Sequence, residues 1–150
     1  MDNELRKNVR LRWFESLFEL SHYEFQKKVW LEAGIENYVS DYTEAVCKYF
    51  DDLDLANGLL KFSEEGFISE TEASIFLKFH NEFQKYVSKT NKNNFSDAKI
   101  LEDMEWINLT FLAKENWRKK FPNSTKLDFI SFCNICDLYI CGLHCNFAQR

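Results

Sequence analysis

Residues 69–87 read SETEASIFLKFHNEFQKYV, and this stretch decides the fold. Ser69 and Glu72 stand three apart, the spacing at which two side chains each satisfy the other's free backbone N–H at the start of a helix. Behind them Ile75, Phe76, Phe79, Phe83, Tyr86 and Val87 recur at intervals of three and four, so one apolar stripe continues for about five helical turns. The polar run 89–94 then closes the element as a loop. Toward the N-terminus the same period returns in Leu5, Val9, Trp13, Leu17 and Leu20, which predicts a first helix over 5–20. Ser21 with Glu24 repeats the capping spacing and predicts a second helix from about residue 22 to 32, closed by Gly34. A third is expected over 41–53, capped by Ser40 and carrying Tyr42, Val46, Tyr49 and Phe50 on its stripe, and a shorter one over 54–62.

Downstream of the loop, Ser96 or Asn94 caps a helix through Ile100, Met104, Ile107, Phe111 and Trp117 that must stop before Pro122. Residues 127–147 are almost continuously apolar. Their polar positions, Asp128, Ser131, Asn134, Asp137, Cys141 and His144, nevertheless recur every three or four residues, the mark of a helix buried over most of its circumference. The two acids and the Asn argue against a membrane span. With one Pro and four Gly in 150 residues, 45% of them hydrophobic and 15 of them Phe, the chain has few strand-turn signals and ample core. The expectation is an all-α, single-domain bundle or array of six to seven helices spanning 1–150, with a buried C-terminal helix.

Charge is unevenly placed. Between Glu32 and Glu72 stand eleven acidic residues against two basic ones, Lys48 and Lys61, so the rest of a chain of net charge −5 is basic. A concentrated negative field attracts cationic partners and repels nucleic acid. Interleaved aromatics (Tyr38, Tyr42, Tyr49, Phe50, Phe62, Phe67) add the anchors that interfaces favour. The basic cluster Lys114, Arg118, Lys119 and Lys120 complements the negative end of its own helix, which is sufficient reason for it.

No chemistry-bearing set stands out. Cys133, Cys136, Cys141, Cys145 and His144 are zinc-type ligands, but on a continuous helix Cys133 and Cys145 stand about 18 Å apart, and zinc draws its sulfurs to about 2.3 Å. Glu19 and His22 have the spacing of a di-iron helix pair, yet only one such pair is present and a cap at Ser21 would divide it between two helices. Asp52, Asp54, Asn57 and Gly58 suggest a calcium loop, but Ala56, Asn57 and Ser63 fall where an oxygen ligand, Gly and Glu belong. Cys47 can be paired on paper with His80 or His144, but nothing local activates its thiol. No phosphate-cradling glycine loop occurs. The chain is expected to be no enzyme and to bind neither metal nor cofactor. Its opening residues show no secretory signal, and the expectation is a cytoplasmic protein whose five cysteines are mostly reduced.

The N-terminal third, Leu11-Arg12-Trp13-Phe14-Glu15-Ser16-Leu17 through Tyr23-x-x-Gln26-x-x-x-Trp30 to Tyr49-Phe50-Asp51-Asp52-Leu53, resembles the small helical immunity proteins of bacterial contact-dependent inhibition and other polymorphic toxin systems. That resemblance implies a cytoplasmic, non-enzymatic, acidic protein that neutralises a cognate toxin domain, often a basic nuclease, by binding it. On this reading the partner is a protein, with no nucleic acid and no membrane. Asp51, Asp52, Asp54, Glu64, Glu65, Glu70 and Glu72 are the expected contacts, as competitors of phosphate, with Phe67 as an exposed anchor. The other reading of the same field is a helical adaptor that recognises a basic segment of a cellular protein.

Overall fold

Asp2 starts the first helix by accepting the Glu4 backbone N–H at 3.1 Å, and α1 then runs Asn3–Ser21. The computed structural model describes residues 2–36 and 38–122. Within them lie six further α-helices: α2 (Tyr23–Trp30), α3 (Tyr42–Cys47), α4 (Leu59–Glu64), α5 (Glu70–Val87), α6 (Asp97–Glu102) and α7 (Met104–Lys120). The described residues contain no strand, and the fold is all-α. The helix expected over 127–147, with its cysteines and His144, lies outside the described residues.

α7 packs along both α5 and α1, and this trio makes the centre of the described core. On α7 the inward positions are Trp106, Leu109, Ala113 and Trp117, spaced by three and four. Trp106 is the hub. Its ring centroid lies 5.4–5.9 Å from those of Trp30, Tyr42, Phe83 and Tyr86, edge-on or tilted, as aromatic quadrupoles prefer. Its indole N–H reaches Gln26 Oε1 at 2.9 Å, and Gln26 Nε2 in turn donates to the Glu19 carbonyl at 2.8 Å. Trp13 on α1 meets Phe76 on α5 edge-to-face at 5.2 Å, which closes the other side of the triangle.

Several boundaries differ from the sequence reading, each for a local reason. Ser21 does not cap α2: its hydroxyl turns back to the Phe18 carbonyl at 3.2 Å and so belongs to the last turn of α1. His22, extended at φ −117°, separates the two helices. α2 stops at Trp30, and the left-handed residue after it is Ala33 (φ 47°), not Gly34. Asp41 rather than Ser40 caps α3, accepting the Glu44 N–H at 2.7 Å. The single helix expected after residue 94 is two. Asp103 is extended, caps α7 through the Glu105 N–H, and is held there by Tyr86 at 2.7 Å and Lys92 at 2.6 Å. The break rotates the later positions, so Met104 and Phe111, placed on the buried stripe by spacing alone, are 63% and 58% exposed.

Glu19 and His22 do not act as a pair. Glu19 is buried, and its two oxygens accept from Trp30 Nε1 at 2.9 Å and Tyr38 Oη at 3.1 Å, with Lys48 Nζ 3.8 Å away. That network fastens the segment before α3 onto α1 and α2, and so fixes where α3 begins.

Candidate functional site

α3 passes at Cys47 into a π-helical turn, Lys48–Asp52, the wider winding that recurs at functional sites. The turn gives Lys48 and the two aspartates separate destinations. Lys48 points inward to Glu19, Tyr38 and Ser40, Tyr49 and Phe50 enter the core, and Asp51 and Asp52 are left exposed. Asp54 comes next, in the left-handed region at φ 54°, its carboxylate accepting from Asn57 Nδ2 at 3.2 Å. Gly58, at φ 102°, makes the turn into α4. Buried Leu53, Leu55, Leu59 and Phe62 root this acidic stretch, so the carboxylates stand on a fixed base.

α4 ends in a Schellman motif. The Phe67 N–H returns to the Phe62 carbonyl at 3.3 Å and the Gly66 N–H to that of Ser63 at 2.9 Å, with Gly66 at φ 84°. The motif brings the Phe67 ring onto Phe62, stacked at 5.0 Å. Phe67 is therefore half-buried and engaged, and the exposed-anchor role expected of it is corrected. The large apolar side chain that α4 does expose is Leu60, 57% accessible. Its signal was in the sequence: Leu59 and Phe62 share a helical face, which turns Leu60 outward.

Glu64, Glu65 and Glu70 are exposed, and Glu65 has Lys61 at 3.7 Å. Glu72 is the second correction. It is buried, completes the capping box with Ser69, and is gripped by Arg10 at 2.6 and 3.3 Å and by Lys120 at 3.1 Å. Burial by itself would raise its pKa. The Arg10 hydrogen bonds, the Ser69 N–H and Lys120 outweigh burial and hold the carboxyl at about 2. Glu72 is thus an internal ion, while none of the ion pairs among the described residues engages Asp51, Asp52, Asp54, Glu64 or Glu70. Both cations of the acidic segment are spent locally, Lys48 inward and Lys61 on Glu65.

Nothing in this region resembles an activated nucleophile. The Cys47 thiol is pushed up by burial, by a hydrogen bond to Asp51 and by the charges of Asp51, Glu44 and Asp52, the opposite of what a thiolate needs. His80 is buried with Nδ1 2.9 Å from the Tyr49 hydroxyl, and burial lowers its pKa. Among the described residues, no three His, Cys, Asp or Glu side chains converge as metal ligands, and no helix is long and apolar enough to cross a membrane. No protein-family model matches the chain, and no curated protein or solved structure is detectably similar to it.

Proposed function

We propose that this chain is an immunity-type inhibitor, a cytoplasmic protein that binds a cationic toxin domain through the segment 51–70 and blocks the surface that the toxin needs for its substrate. The observation that carries the reading is the contrast between Glu72, neutralised inside the fold, and the exposed carboxylates of Asp51, Asp52, Asp54, Glu64 and Glu70, which have no cationic partner among the described residues. A nuclease presents cations to phosphate, and a fixed array of carboxylates on well-packed short helices competes for the same cations. Leu60, exposed within the same segment, supplies an apolar contact.

The test is co-expression with the polypeptide encoded immediately upstream. Protection of growth, together with a complex of the two purified proteins whose affinity falls steeply with salt, supports the reading. Growth arrest unrelieved by this chain, or no complex at low ionic strength, overturns it.

A further inference from the structure

Toward the C-terminal end of α1, beyond the Glu72 cluster, a cleft of about 940 Å³ opens between α1, α2 and α7. Its walls include Phe18, Phe25, Ile35 and the exposed Phe111, a size and lining typical of small-molecule sites. Two buried polar atoms of its lining residues, His22 Nε2 and Thr110 Oγ1, have no partner among the described residues, although their residues are only 8% and 1% exposed. The His22 tautomer is set by its other nitrogen. Nδ1 lies 2.8 Å from the Phe18 carbonyl, which only accepts, so Nδ1 carries the hydrogen and Nε2 presents a bare lone pair. Both atoms are closed to solvent, so they mark an incompletely satisfied floor beneath the cleft rather than a contact for a ligand.

The charge pattern is equally incomplete. Lys114 and Arg118 sit one helical turn apart on α7, and among the described residues neither has a carboxylate at ion-pair distance. Arg118 stands in the last turn of α7, where the helix dipole accounts for a cation, but Lys114 stands a turn earlier, and like charges at that spacing repel. Burial and Arg118 both lower the Lys114 pKa, so the ammonium is half-buried beside a second cation. Glu24, Glu36 and Glu115 also belong to the lining, which disfavours a dianion such as phosphate; the walls are mainly apolar. A single negative charge on an apolar body suits both facts.

We propose that this cleft binds a small amphipathic carboxylate, its acid group between Lys114 and Arg118 and its apolar body against Phe18, Phe25 and Phe111.

The experiment titrates the full chain with 2-naphthoate and with the uncharged 2-naphthamide by calorimetry. The carboxylate is expected to bind at least about tenfold more tightly than the amide, a difference of about 1.4 kcal/mol. Lys114→Met is expected to abolish that preference while melting no lower than the parent protein, since one of two like charges is removed. Arg118→Gln gives the same readout should the first variant fold poorly. Equal affinity for acid and amide, or a preference that survives in both folded variants, overturns the proposal.

Discussion

Arg10 grips Glu72 through two hydrogen bonds, of 2.6 and 3.3 Å, while Glu72 is also capping its own helix through the Ser69 N–H at 2.9 Å. One carboxylate thus starts α5 and ties it to α1, with Lys120 of α7 as a third attachment. Losing the cap alone should be cheaper than losing the carboxylate. Ser69→Ala is expected to cost about 1 kcal/mol. Glu72→Ala, which also strands Arg10 and Lys120, is expected to cost about 2–4 kcal/mol in urea unfolding at pH 7. Equal costs would mean that the link to α1 is energetically idle.

Acid should weaken the fold through several groups that act in the same direction, with Glu72 and His22 shifted furthest among them. Glu72, held at about 2 against burial by Arg10, Ser69 and Lys120, contributes stability that is present above its ordinary value near 4.5 and lost as pH falls toward 2. His22 is kept neutral, its pKa lowered to about 3 by burial and by the charges of Lys114 and Arg118. The unfolded chain takes up that proton near pH 6.5 and the folded chain does not, so stability falls as pH drops below 6.5. At pH 4.5 the His22 share is about 2–3 kcal/mol. Replacing His22 by Gln should flatten the stability profile between about pH 6.5 and 4.5, as measured by urea titration at each pH. An unchanged slope would mean that another group carries it.

The helices that announced themselves in the sequence are those whose start is built from local chemistry alone. Ser69 with Glu72 forms the reciprocal cap that its spacing implies, and Ser96 caps α6 by accepting the Lys99 N–H. Ser21 with Glu24 has the same spacing and fails, because the Ser21 hydroxyl is drawn to the Phe18 carbonyl one turn back. Asp103 breaks a continuous helical period for a reason that lies on α5 and in the loop after it, where Tyr86 and Lys92 wait for its carboxylate. The acidic site was legible as composition. Its sorting into internal and external carboxylates was not, since the burial of Glu72 depends on Arg10, 62 positions away. The π-helical turn that aims Asp51 and Asp52 outward likewise leaves no period in the sequence.

If segment 51–70 meets a cationic toxin, reversing Asp51, Asp52 and Asp54 to Lys should act on encounter. Association is expected to slow by about tenfold or more at low salt, with dissociation changed by only about two- to threefold. Raising ionic strength to about 0.5 M should shrink the association difference, because charges beyond a few ångströms are then screened. Stopped-flow mixing with the purified upstream-encoded protein measures both rates. An association rate untouched by the triple reversal would remove these aspartates from the interface.

Asp54 separates conformation from charge. It is held at φ 54°, a region in which Asp is tolerated and Gly is at ease. Ala33, at φ 47°, has the same backbone problem after the end of α2, outside the segment 51–70. Ala33→Gly should therefore raise stability by up to about 1 kcal/mol and leave association unchanged. Asp54→Gly should be neutral or stabilising by a similar amount, since strain is relieved while the bond from Asn57 is lost. Asp54→Asn keeps a residue suited to left-handed backbone and removes only the charge. If Asp54 is retained for the partner, the Gly and Asn variants should slow association equally, by about two- to threefold at low salt, although their stabilities differ. Should only the Gly variant bind more slowly, the shape of the turn and not its carboxylate would be what the partner reads.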